Sequence, residues 1–207
     1  DARPGIELMA DNAFIKNSSI HHNYIGLCIE YSKNVTIVAS SIYCSVDHGI
    51  LAYEAEGLII SQNEIFDNAW AGIWIGRSQN VEISNNTIID NIYSIYTYLS
   101  QNLKIELNMI ADNDVAIWLR SSNNTVIYSN TIHSNEGYGV YLSRYWTFTY
   151  FLDIPIVNIY GPSTNNTISN NNITNNWVNI QIINSINNSI IGNTIAEATH
   201  YGVLLKV

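Results

Sequence analysis

Three aspartates, Asp67, Asp90 and Asp112, recur at steps of 23 and 22 residues, each directly before an Asn. If the chain coils once per step, the three carboxylates stand in one column. Such a column has three chemical uses. Mutual repulsion raises the pKa of one member and fits it for acid–base work, the oxygens can ligate calcium, or each Asp simply accepts backbone N–H bonds at a turn. Adjacent rungs would hold carboxylates about 5 Å apart and alternate rungs about 10 Å, close to the separations used by retaining and inverting glycosidases. His22 and Cys44 continue the column one step at a time, with His21 and His48 nearby. That set has soft-metal character. Strand alternation would send His21 and His22 to opposite faces, so only one of them would join the column.

A second set is aromatic and basic. Trp74, Tyr96, Trp118 and Tyr141 recur every 22 or 23 residues, and Tyr98 and Arg120 lie two positions after Tyr96 and Trp118. An outward row of rings with an arginine beside it is a platform for a sugar ring or a partner protein. In-register rings also stabilise stacked strands with no ligand at all. Arg77, Arg120 and Arg144 sit near the aromatic strip at similar offsets within their repeats. They are candidates to neutralise a uronate carboxylate in a lyase, although no residue pattern specifies the base. The chain contains no Gly-rich phosphate loop, no Gly-x-Ser-x-Gly elbow and no His-Glu-x-x-His.

These residues need a frame that repeats every low-twenties residues. The stretch from Gly72 to Ser94, GIWIGRSQNVEISNNTIIDNIYS, is its clearest copy: three short apolar-alternating runs separated by Ser, Asn and Gly. Aligning the chain on itself puts Ile6, Leu27, Ile50, Ile73, Ile95, Ile117, Val140, Ile180 and Val203 in one column. A corner column reads Ser18, Ser40, Asn63, Asn86, Asn108, Asn130, Asn171 and Asn193, and a second runs from Asn23 through Asn68, Asn91 and Asn113 to Asn176. Period-2 alternation inside a copy too short for a helix pair predicts three strands per turn of a solenoid. Amides at the corners can bond the amides of the rungs above and below, satisfying buried polar atoms.

The repeated N-x-I-x-x-N-x-x-G-I-x-L pattern resembles the right-handed parallel β-helix repeat of carbohydrate-binding and sugar-hydrolase domains, including NosD-like and archaeal surface-layer-associated proteins. The resemblance spans nearly the whole chain. It implies an all-β, single-stranded right-handed parallel β-helix of about nine coils over residues 1–207. It also lends copper a claim on the His22–Cys44 corner. The Asp-Pro-His motif of β-helical uronate epimerases is absent.

Composition narrows the function classes. The 207 residues carry 8 basic and 17 acidic side chains, a net charge of −9, which excludes the basic stripe of a phosphate-tracking nucleic-acid binder. No apolar run is long enough for a membrane-spanning helix. Low lysine content with abundant Tyr, Asn and Ser points to an extracellular or cell-surface module. Seven glycosylation sequons begin at Asn17, Asn34, Asn85, Asn123, Asn165, Asn172 and Asn187, although Asn-rich corners followed by Ser or Thr generate sequons without selection for glycans. The spacing of Cys28 and Cys44 leaves their pairing open. Between Val140 and Ile180 the step lengthens to 40 residues, and the excess, about 144–161, forms a loop insertion beside the aromatic column. Runs cut mid-pattern at both ends suggest a segment of a longer chain, or ends that meet neighbouring domains or subunits.

The expected function is therefore a surface module that binds carbohydrate, or serves a structural role, through the aromatic strip. The alternative is a polysaccharide-acting enzyme, a lyase or glycoside hydrolase, using the stacked acids or the arginines.

Overall fold

The computed structural model describes residues 3–151 and 154–206. Every element among them is a strand. The chain winds as a right-handed parallel β-helix whose strands stack into one nine-stranded and two eight-stranded parallel sheets. One coil shows the plan: Ala71–Gly76 in the first sheet, Glu82–Ser84 in the second, Thr87–Ile89 in the third, then Tyr93–Tyr98 one rung up.

Each short strand carries a β-branched residue at its centre, which suits a pleated surface and points into the coil. Ile73, Ile75, Ile83 and Ile88, all from this one coil, are fully buried. Burying each contributes about 1.5–3 kcal/mol relative to exposure. The pairing register reproduces the first sequence column rung for rung, from Ile6 opposite Leu27 to Ile180 opposite Val203.

The corners explain the asparagine content. In the same coil Arg77, Asn80, Asn85 and Asp90 hold φ between 50° and 56°, the left-handed region, which Asn and Asp enter more readily than most residues. The buried asparagine beside each turn then joins a ladder. Asn63, Asn86, Asn108, Asn130 and Asn171 each donate Nδ2 to the next Oδ1 at 2.9–3.0 Å, the last bond ending on Asn193. A second ladder runs through Asn68, Asn91, Asn113, Asn135 and Asn176 at 2.8–3.2 Å. A third corner, not anticipated from the sequence, is lined by serines: the Ser78 N–H donates to Ser100 Oγ, and Ser100 N–H to Ser122 Oγ.

The lengthened step contains an antiparallel hairpin, Trp146–Phe151 with Ile154–Ile159, rather than an irregular loop; within it, residues 152 and 153 lie outside the described residues. Two serines root it. Ser121 Oγ accepts the Tyr145 N–H at 2.7 Å and donates to the Gly161 carbonyl, and Ser163 Oγ donates to the Leu119 and Ser143 carbonyls.

Candidate functional site

The outer face of the nine-stranded sheet carries the aromatic column in the expected register: Trp74, Tyr96, Trp118 and Tyr141 lie opposite one another on successive rungs. It is not the flat exposed row that alternation suggests. Trp74, Trp118 and Tyr141 are half-buried, and Tyr96 is only 5% exposed. The cause is a second set of rings that enters just before several strands of this sheet or at their start. Trp70 lies 5.7 Å from Tyr96, Tyr93 lies 5.5 Å from Trp118, and Tyr138 lies 4.9 Å from Tyr141. A sequence signal existed, since an aromatic stands one or two residues before the residue that precedes the inward Ile or Val of four strands: Trp70 before Gly72, Tyr93 before Ser94, Tyr138 before Gly139 and Trp177 before Asn179. Tyr98 packs against Trp74 at 4.9 Å, where a Cβ on Gly76 would collide with its ring.

Arg120 organises the upper half of this face. Its guanidinium carbon sits 4.8 Å from both the Trp118 and Tyr145 ring centroids, and Nη1 donates to the Tyr96 hydroxyl at 2.9 Å. Burial raises the Tyr96 pKa and Arg120 opposes that shift, so this phenol stays protonated near neutrality. Burial likewise raises Tyr98. Trp118 is fixed by a bond from Nε1 to Ser143 Oγ at 2.9 Å. The root of the hairpin leans over the strip, so that Trp146, 51% exposed, borders two hollows. One, about 340 Å³, lies among Trp70, Trp74, Tyr96 and Trp118. The other, about 320 Å³, lies among Trp118, Tyr141, Ile159, Arg144 and Asn184. Trp118, Arg120 and Trp146 line both. Among the described residues no carboxylate lines either.

The remaining candidates sit elsewhere. Arg144 is exposed and shares a hollow with Arg120. Arg77 occupies the Arg144 column three rungs below, roughly 15 Å away at the strand spacing, and pairs with Glu54 at 3.9 Å. Asp67, Asp90 and Asp112 are exposed, one per rung, each in the left-handed conformation of a corner. They line a separate hollow with Asp114 and Glu136 that contains no arginine. The fold therefore does not bring the acids and arginines together. His21 and His22 overturn the alternation argument: His22 has φ 56°, and this turn swings its ring back so that the two Nδ1 atoms lie 2.8 Å apart. Cys28 and Cys44 are both free thiols. Six of the seven sequon asparagines are exposed, whereas Asn123 is half-buried and accepts two bonds from Thr164.

The architecture is that of a right-handed parallel β-helix whose widest sheet carries an aromatic outer face. The chain belongs to the NosD family, described as periplasmic copper-binding protein, whose model matches residues 2–151. No curated protein matches it in sequence. Solved structures share the fold. The A-module of mannuronan C-5 epimerase AlgE6 from Azotobacter vinelandii aligns with a TM-score of 0.75 at 19% identity, over 96% of this chain and 59% of that one. The periplasmic alginate epimerase AlgG aligns at 0.72 and 19%, over 94% and 45%. A DFA-IIIase from Arthrobacter chlorophenolicus A6, in complex with GF2, aligns at 0.70 and 16%, over 88% and 48%. The chain thus spans about half the length of the structures it resembles.

The family description raises copper. Among the described residues no three His, Cys, Asp or Glu side chains gather to hold a metal ion. The nearest approach, the exposed His21–His22 pair, offers two nitrogens where a tetragonal copper site needs about four ligands. These residues do not by themselves form a copper site.

Proposed function

We propose that this chain is an extracytoplasmic carbohydrate-binding module, and that the glycan lies along the aromatic face beside the hairpin. One observation carries the reading: two adjoining hollows share Trp118, Arg120 and Trp146, so ring faces meet hydrogen-bonding groups at one place. A pyranose buries its C–H face on an aromatic ring while keeping its hydroxyls paired, which this mixture of surfaces supplies. The sugar-directed names of the structural neighbours and the periplasmic description of the family support the same reading. Binding is favoured over turnover because, among the described residues, the hollows have no carboxylate to serve as the paired acids of glycosidic cleavage.

The test is a glycan-array screen followed by calorimetric titration of the best ligand. Trp146→Ala, at an exposed position, and Trp118→Ala should each weaken binding about tenfold or more, as expected of anchoring aromatics. Trp118→Phe keeps a ring and should retain most of the affinity. Full affinity in both alanine variants would place the glycan elsewhere.

A further inference from the structure

The groove carries a charge that its surroundings leave unanswered. The chain has about twice as many acidic as basic side chains, and its other paired cations have carboxylate partners: Lys33 with Glu56, Arg77 with Glu54, Lys104 with Glu106. Arg120 has none among the described residues. One of its five donors is engaged, by Tyr96, and its Nε is buried without a partner. Two rings, Trp118 and Tyr145, hold the guanidinium through cation–π contact, which restrains the fork while leaving its donors to something else. An unpaired, partly desolvated cation is costly, and a planar fork matches a carboxylate or sulfate in two-point contact. Arg144, exposed on the same hollow, adds a second positive charge, and no carboxylate lines that hollow among the described residues.

We infer that the groove selects an acidic sugar, whose anionic group docks on Arg120 with Arg144 at the rim while its ring packs against Trp146, the exposed ring that borders both hollows. This rests on the carbohydrate reading above and narrows it to anionic glycans. A uronic acid and a sulfated sugar present the same charge chemistry to the fork.

The experiment titrates the whole chain with three oligosaccharides of equal length: a polyuronate, a sulfated neutral backbone, and the unmodified neutral backbone. At least one acidic ligand should bind tenfold or more tightly than the neutral one, and the stronger of the two identifies the anion. That advantage should shrink as salt rises from about 50 to 500 mM, vanish in Arg120→Gln and survive partly in Arg120→Lys, which keeps the charge but not the fork. If circular dichroism shows Arg120→Gln misfolded, Arg144→Gln carries the test, with about a threefold loss confined to the acidic ligands. Equal binding of neutral and acidic ligands, lost in Trp146→Ala but unchanged in the arginine variants, overturns the acidic specificity and leaves the carbohydrate reading intact. No binding of any oligosaccharide by the parent chain overturns both.

Discussion

Asn108→Ala offers the most direct test of the amide ladder. In the folded chain Asn108 Oδ1 accepts from the Asn86 N–H at 2.9 Å and from Asn86 Nδ2 at 3.0 Å. Its Nδ2 donates to the Ile83 carbonyl at 2.9 Å and to Asn130 Oδ1 at 3.0 Å. Truncation removes all four bonds. Asn86 Nδ2 keeps the Ile60 carbonyl and Asn130 Oδ1 keeps the Asn108 N–H, but the Asn86 N–H loses its acceptor in a residue 1% exposed. At about 0.5–1.5 kcal/mol net per bond, with the buried orphan at the upper end, the loss should come to about 3–5 kcal/mol. That is a large share of the ~5–15 kcal/mol typical of a whole domain. Asn193, on the last rung of the same ladder, supplies the comparison. It makes three analogous bonds but is partly exposed, so water can replace them and Asn193→Ala should cost about 1–2 kcal/mol. Urea unfolding followed by far-UV circular dichroism measures both. A loss below about 1 kcal/mol for Asn108→Ala, or equal losses at the two rungs, would refute the ladder as a source of stability.

Ile83→Asp places an unpaired charge at a fully buried position and should cost several kcal/mol, whereas Glu82→Ala on the half-exposed neighbour should cost less than about 1; comparable melting losses would overturn the inward and outward assignment. Burial pushes the His48 imidazole below its usual 6.5 against an upward pull from Asp47. The unfolded chain therefore takes the proton more readily, so stability is complete above about pH 6.5 and declines as pH falls below it. Melting temperatures between about pH 8 and 5 should show this decline, and His48→Gln should flatten it. The Cys28 thiol is pushed up to about 11, first by burial and then by Glu30 and Glu7, so alkylation at that site should be slow near pH 8 and accelerate above pH 10; rapid labelling at pH 8 would contradict its environment. Chelation should leave the melt unchanged, because Asp67, Asp90 and Asp112 share a hollow but, among the described residues, no three acids gather closely enough to hold a metal ion; a fall reversed by calcium would restore a cation site there.

What could be read from the sequence follows from what the coil demands of every rung. A residue at an interior or corner position meets the same environment once per turn, so Ile and Asn recur at fixed offsets and their columns match the pairing register. Outward positions have no such uniformity, and alternation fixes direction without fixing exposure. Tyr96 points outward and is nonetheless buried, because Trp70, Tyr93 and Arg120 come in from other rungs and positions to cover it. His21 and His22 meet for a related reason: alternation holds only while the backbone stays extended, and His22 has already entered the turn.

The column that ends each strand of the first sheet shows where a ligand site can arise in such a frame. It runs Glu30, Tyr53, Gly76, Tyr98, Arg120, Ser143, a different chemical type at nearly every rung. The coil places no demand on these side chains, so their identities are free to follow something other than stacking. Each nevertheless fits its neighbours: Gly76 clears space for the Tyr98 ring, and Ser143 receives the Trp118 indole N–H from the adjacent column. Of the two cations in this column, Arg120 and Lys206 on the last strand, Arg120 sits where the repeat is also interrupted by the hairpin, with Tyr145 at its root 4.8 Å from the guanidinium carbon. A non-repeating residue, held rigid by repeating ones at the single break in the period, is what a preorganised binding site on a solenoid requires. That coincidence is why the functional argument turns on Arg120 and its immediate rings rather than on the longer columns that build the coil.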